Sequence, residues 1–460
     1  MEKNSIGARD VQYVLHPLTN LSEHIRLGPL VIAGGKGIFA FDDAGKDYIE
    51  GFAAAGCLAL GYGEESLIEA ADRQMRELAY SPGIASRTTR PVVELAEKIK
   101  SLVGIEASKI FFTCSGSEAN DTQIKLQWAY NNALGRPKKK KILSHRLSYH
   151  GATIAAGSLT GIPAYHLGFD MPIPQVLHAD TPDFGRAAEP GESETEFVSR
   201  ITAHLEDRII REGPDTIAAM IVEPVMQAAG VVLPPKGYME GLAAILQRHD
   251  IKLIVDEVIC GFGRTGALFG TETYSIATDT MSLGKQLSAG YAPIAAVTVE
   301  QCTYDALLEL NDKAGGIFGH GFTYGGHPVS AAIALRALEI YEERGIYEHV
   351  REIAPYFIRK LTELAERHPL LGQVRGVGLI ASVDIVRDNE QALRFDPGQR
   401  VGPVCMSKCE GHGLLMRVSN DRALFCPPLI ISESEIDEMF LRFERGMGDL
   451  LQWARQQEAA

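Results

Sequence analysis

No run of apolar residues in this 460-residue chain approaches the roughly 20 needed to cross a bilayer, so a membrane-spanning role is not expected. Positive charge is also in deficit. Lysine and arginine number 45 against 59 aspartates and glutamates, a formal net charge of −14. That balance speaks against nucleic acid or an anionic membrane as partner. The one basic run, Lys138 to Lys141, lies between Pro137 and a strand-like Ile142-Leu143 and reads as a solvated turn. Cysteines are few, scattered and odd in number, seven in all. Cys405 and Cys409 lack a second pair or nearby histidines at zinc spacing, so no metal site is expected. Free thiols fit a reducing cytoplasm. The opening Met1-Glu2-Lys3-Asn4-Ser5 has no apolar stretch behind it and does not read as a signal peptide. Internal repeats and low-complexity linkers are missing. Gly34-Gly35-Lys36-Gly37 lacks Gly-x-Gly-x-x-Gly spacing and a surrounding strand–turn–helix, which disfavours a nicotinamide dehydrogenase.

What is present is ordinary for a globular protein: 45% hydrophobic and 23% charged residues, at a length that implies two domains. Gly37 to Glu50 reads as a hairpin around an Asp-Ala-Gly turn. From about residue 66, helical periods such as Ser66 to Leu78 and Pro91 to Leu102 alternate with short apolar strands. The strands are Lys109 to Thr113, Lys141 to Ser144, Ile217 to Val222, Ile251 to Val255, Thr280 to Leu283 and Ile294 to Thr298. Such alternation predicts an α/β fold with a mostly parallel sheet covered on both faces. A helix from Pro328 to Glu343, a strand in Gly378 to Asp384 and a last helix opened by a capping box at Ser432–Glu435 complete the pattern. The expected division is a large domain over 66–330 and a smaller α/β domain built jointly from 1–65 and 331–460.

The most informative pair is Asp256, closing one predicted strand, and Lys285, just beyond another. A buried acid and a buried amine at strand ends suit pyridoxal phosphate. Its aldehyde needs a lysine to form a Schiff base, and its ring nitrogen needs an acid to stay protonated so that the ring works as an electron sink. A third strand end runs into Cys114-Ser115-Gly116-Ser117-Glu118-Ala119-Asn120 at a helix start. Backbone N–H groups, hydroxyls and the positive end of a helix dipole there can hold a phosphate. Tyr149 of Tyr149-His150-Gly151 follows a further strand end and offers a flat ring for stacking. Ligands of such sheets sit outside the carboxyl ends of the strands.

Together these segments resemble the class III, or subgroup II, aminotransferases of pyridoxal phosphate fold type I, over nearly the whole chain. The resemblance implies a large domain with a central, mostly parallel seven-stranded sheet. It makes Ser115, Gly116 and Ser117 the phosphate loop, Tyr149 with His150 the ring-stacking motif, and Glu223-Pro224 the turn beside the site. Asp256 would face the pyridine nitrogen, Val258 the other ring face, and Lys285 would be both cofactor anchor and catalytic base. The segment with Phe322 and Thr323 resembles one that crosses a dimer interface, Thr323 capping the neighbouring subunit's phosphate. The implied partners are an amine donor and a keto-acid acceptor in a homodimer with shared active sites, with pairing into tetramers left open. Within the family the chain is most similar to the ω-amine:pyruvate transaminases. Arg417 resembles their mobile arginine, which turns inward to clamp a carboxylate and outward for an uncharged amine. An aminomutase, a decarboxylating transaminase, a racemase or a non-catalytic scaffold of the same fold remain as alternatives.

Departures from the family pattern bear on substrate. Ala228 stands where ornithine-type enzymes carry a glutamate that masks the arginine. Gly56 stands where many ω-transaminases place an aromatic residue before Cys57, and Ile84 where a second aromatic is common. Losing both walls predicts a pocket enlarged for a long or bulky amine.

Overall fold

The computed structural model describes residues 4–313, 316–389, 391 and 393–458. Met1–Lys3, which open the segment that does not read as a signal peptide, lie outside the described residues. Seven strands build the central sheet: β1 (Ala107–Thr113), β2 (Lys141–His145), β3 (Val176–Ala179), β4 (Ile217–Val222), β5 (Lys252–Asp256), β6 (Thr280–Leu283) and β7 (Ala295–Glu300). Their order is β1-β7-β6-β5-β4-β2-β3. Strands β6, β5, β4, β2 and β3 pair in parallel, and β7 runs antiparallel to both its neighbours. The fold is thus α/β with a mostly parallel seven-stranded sheet. Every residue of β4 and β6 is buried, as expected for strands covered on both faces.

Alternation along the strands sorts the two covering layers. Leu143, Met220, Val222, Leu253 and Val255 meet Phe197, Ile201, Leu205, Leu242 and Leu246 from the helices Glu194–Glu212 and Tyr238–Arg248. Their neighbours Ile142, Ala219, Ile221 and Ile254 face the opposite way, onto Ile124 and Leu159. The predicted strands that the sequence displayed as apolar runs are all present. The run Val176–Ala179 carries a histidine and spans only four residues, which kept it below notice.

The chain's two ends meet in one sheet. Phe39–Asp42 and Asp47–Glu50 form the expected hairpin, its turn held by Asp42 Oδ1, which accepts from Ala44 N at 3.0 Å and Lys46 N at 2.8 Å. Leu414–Leu415 then joins Asp47–Glu50 in parallel. A second sheet pairs Leu371–Val377, Ile380–Ile385, Arg422–Phe425 and Arg417–Ser419 in that order. The last helix, Glu433–Glu458, opens on the capping box: Ser432 N donates to Glu435 Oε2 at 2.8 Å, and Glu435 N to Ser432 Oγ at 3.3 Å. The basic run is not the solvated turn expected of it. Lys139 is buried, its ammonium donating to the Asp250 carbonyl and to Asp250 Oδ2 at 3.1 Å. Among the described residues no helix is long and apolar enough to cross a membrane.

Candidate active site

The carboxyl ends of β1, β2, β4, β5 and β6 bring their following residues to one edge of the sheet. There a cavity of about 420 Å³ is lined by Ser115, Gly116, Ser117, Tyr149, His150, Glu223, Ala228, Asp256, Val258 and Lys285. Asp256 is almost fully buried. Its Oδ2 accepts from Asn120 Nδ2 at 2.7 Å and lies 2.9 Å from His150 Nδ1, and its Oδ1 accepts from Val258 N at 3.1 Å. Lys285 follows β6 after one glycine and holds φ at +45°. A lysine gains nothing intrinsic from the left-handed region, which disfavours L-residues by roughly 1–2 kcal/mol. Such a conformation persists where the surroundings impose it, as at functional sites.

The donor set beneath this cavity fits a phosphate. Ser115 caps the 18-residue helix Gly116–Ala133, its Oγ accepting from Glu118 N at 3.2 Å. The first N–H groups of a helix have no intrahelical acceptor, so those of Gly116 and Ser117 are free to face an anion. No Cβ belongs at Gly116: one built there would sit 3.1 Å from Val258 Cγ1. The loop therefore closes on Val258, bringing the cradle and that side chain to one wall. Two buried atoms beside Asp256, Asn120 Oδ1 and His150 Nε2, lack a hydrogen-bond partner among the described residues. The residues present thus match the anchor, the acid and the phosphate cradle that pyridoxal phosphate requires.

Glu223 is almost fully buried, and its Oε1 accepts from Tyr149 N at 2.9 Å. Burial pushes its carboxyl up from 4.5 to about 7, against the opposing pull of His150. Glu257 is raised to about 7 as well, by burial, although it accepts from Gly270 N at 2.9 Å and Thr271 N at 2.6 Å. Each carboxyl keeps a proton when folded that it loses when unfolded. Each therefore contributes stability that is present below about 4.5 and is lost as pH rises through about 7. Glu223→Gln retains an acceptor for Tyr149 N–H. Its melting temperature is expected to fall less than the parent's between those two pH values; equal slopes in thermal melts would show that Glu223 does not titrate there.

A second, larger cavity of about 1140 Å³ adjoins the first and shares Gly151 with it. Its lining is largely apolar, with Phe52, Ile154, Phe169, Met171, Met406 and Met416, and Arg417, Tyr165 and Thr19 supply its polar side chains. Arg417 Nη2 donates to the Tyr165 hydroxyl at 3.3 Å, and the Tyr165 ring meets Tyr149 edge-on with centroids 5.6 Å apart. The wall between the cavities is a left-handed turn, in which Ala53, Ala54, Ala55 and Gly56 have φ of +44°, +47°, +67° and +78°. Glu50 braces it, Oε2 accepting from Ala54 N and Oε1 from the Tyr62 hydroxyl, both at 2.9 Å.

Gly56 and Ile84 stand in different surroundings. A Cβ on Gly56 would fall 2.4 Å from Ile259 Cδ1, so Ile259 is the side chain that a larger residue would meet there. Ile84 does not meet Gly56 within the chain. It lies 61% exposed on another concave surface, of about 800 Å³, together with Phe322 and Thr323. Those three residues are therefore separate from Lys285 within the chain. Reasoning from sequence also passed over Asn120, Tyr165, Glu50 and Ile259. Asn120 closes the phosphate-loop motif, Ile259 follows Val258 and Glu50 ends the hairpin, whereas Tyr165 sits in a segment with no spacing that marks it.

Comparison with known proteins agrees with this geometry. The family described as aminotransferase class-III matches residues 22–447. A chloroplastic gamma aminobutyrate transaminase 3 of Solanum lycopersicum is 45% identical over 453 residues, covering 97% of this chain and 87% of that protein. The omega transaminase of Pseudomonas jessenii, solved in complex with PMP, superposes with a TM-score of 0.95 at 44% identity, over 98% of this chain and 99% of that one. A thermostable omega transaminase variant engineered for synthesis of bulky amines gives the same TM-score of 0.95 at 44% identity, over 98% and 100% of the two chains.

Proposed function

The chain belongs to the class-III aminotransferase family, and on that premise we propose that it moves the amino group of an apolar primary amine, bulky or long-chain, to a keto acid such as pyruvate in two alternating half-reactions. The observation that carries this reading is the adjoining pair of cavities. One holds Lys285 and Asp256; the other is wide and apolar with a single guanidinium, that of Arg417, in its lining. The cofactor of this aminotransferase is pyridoxal phosphate, which when bound supplies an electron sink for the charge left on the substrate carbon.

The protein's own groups divide the remaining work. Ser115, Gly116 and Ser117 hold the phosphate, Tyr149 and Val258 line the ring, and Asp256, steadied by Asn120 and His150, keeps the ring nitrogen protonated. Lys285 Nζ anchors the cofactor and then takes the proton from the substrate carbon that bears the amine. Arg417 clamps the keto acid's carboxylate, and Tyr165 accepts from the guanidinium when the ligand in place is apolar. Ala228 offers no carboxylate to mask Arg417. Phe322, Thr323 and Ile84 act from the partner subunit of a homodimer, a reading supported by their shared concave surface away from Lys285. The joint sheet of the two chain ends supports one small domain from 1–65 and 331–460 beside a large domain over 66–330. Seven unbridged cysteines support a reducing compartment such as the cytoplasm.

A second reading has its own support. The gamma aminobutyrate transaminases related to this chain at 45% identity favour a short ω-amino acid as donor, its carboxylate on Arg417. One panel separates the two. With pyruvate as acceptor, kcat/KM for 1-phenylethylamine and a long-chain alkylamine is expected to exceed that for γ-aminobutyrate. The reverse order would replace the apolar-amine reading with the second.

A further inference from the structure

We propose that Asp10, His16 and His24 form a divalent-cation site of zinc type that clips the N-terminal arm into place over the mouth of the apolar cavity. Among the described residues, these three side chains direct one donor atom each to within 4.8 Å of one another. His16 Nε2 lies 2.9 Å from Asp10 Oδ1 and 3.0 Å from Oδ2. His24 Nε2 lies 3.3 Å from the same Oδ1, and the two imidazoles sit 4.5 Å apart between centroids. Donor atoms around a tetrahedral zinc, each about 2.0–2.1 Å from the metal, are separated by roughly 3.3 Å, close to the distances from Asp10 to the two imidazoles.

Hydrogen bonding within the trio leaves part of it unexplained. The His24 side chain is only 8% exposed, and its Nε2 is buried without a hydrogen-bond partner among the described residues although it is aimed at the Asp10 carboxylate. A buried polar nitrogen with no partner destabilises a fold. A metal ion satisfies it, because neutral imidazole is a ligand through its lone pair. Two imidazoles and one carboxylate are a borderline donor set, suited to zinc and poorly suited to calcium or magnesium. Asp10 and His16 are 19% and 30% exposed, which leaves a way in and a fourth position for water.

The ligands' positions in the chain give the site a consequence. Asp10 lies in the helix Ile6–Tyr13, His24 in the helix Leu21–Leu27, and His16 between them. The turn that these residues enclose carries Leu18, at φ +50°, and Thr19, and both line the cavity that holds Arg417. An ion fixing three points in 15 residues would hold that turn in one shape. The cysteines, on which the expectation of no metal rested, take no part. The cluster escapes notice in sequence because spacings of six and eight residues match no common zinc motif.

Zinc itself is the probe. Untagged holoenzyme, stripped by mild chelation and dialysed, is titrated with zinc against a chromophoric competitor and then assayed for metal content. One ion per chain is expected, with a rise in melting temperature on loading. His24→Ala and His16→Gln are each expected to weaken binding roughly tenfold or more and to remove the rise. Asp10→Asn, which keeps the side chain's shape, should weaken binding and still fold. Less than one ion per chain at tens of micromolar zinc, or affinity unchanged in all three variants, would overturn the proposal. Because both readouts are independent of turnover, they stand whichever amine the enzyme uses.

Discussion

Replacing Lys285 by alanine is expected to lower transamination by at least about 10³-fold and to abolish the visible absorbance of lysine-bound cofactor. The magnitude follows from two losses. A positioned general base is worth typically about 10²–10⁴-fold, and the covalent anchor is lost with it. Lys285 is the amine in the cavity with Asp256, and its φ of +45° shows that the surrounding packing, rather than local preference, fixes where it stands. Alanine at this site loses nothing that the fold depends on, so the variant should remain folded and still retain pyridoxal phosphate through the Ser115–Ser117 cradle. Absorbance spectra and single-turnover assays read both effects. A variant that kept full activity would remove Lys285 from the chemistry, and borohydride labelling at another residue would show which amine replaces it.

The second large effect is expected to be selective. Arg417→Ala should raise KM for pyruvate roughly 10- to 100-fold, the equivalent of a charged hydrogen-bonded contact worth about 1.5–3 kcal/mol. KM for an apolar amine should change by less than about threefold, since that donor offers nothing for a guanidinium to bind. Arg417 stands half-buried at the wall of the apolar cavity, on the edge strand Arg417–Ser419, tied to Tyr165 at 3.3 Å. Steady-state kinetics with each substrate varied in turn measures the split. Equal loss on both sides would mean that Arg417 supports the cavity's shape instead of recognising a carboxylate.

How far the sequence alone reveals this molecule depends on whether a feature is local. Ser115 to Asn120, Asp256 and Lys285 stand at the ends of apolar runs that can be recognised one at a time, and the parallel sheet gathers those ends without further instruction. The capping box at Ser432 and the turn at Asp42 are equally local. What escapes is tertiary. Nothing in the run Lys138–Lys141 tells that Asp250 comes round to bury Lys139. Nothing near Gly56 announces that Ile259, two hundred residues on, comes to stand beside it. Ile84 shows the same limit from the other side. Its neighbours in the chain are legible, but the surface it shares with Thr323 belongs to the folded exterior.

The left-handed turn from Ala53 to Gly56 bears on how this enzyme can be evolved. Phe52 and Ala55 line one cavity and Cys57 the other, so this turn carries the chain from one to the other. Directed evolution ordinarily reshapes a binding site by exchanging side chains. Along this stretch a β-branched or bulky newcomer would have to tolerate a positive φ, and variants would drop out of a library for want of folded protein before their selectivity was ever sampled. A productive library would leave 53–56 alone and diversify Ile259, Met406 and Met416, where volume can be changed without rewriting the backbone.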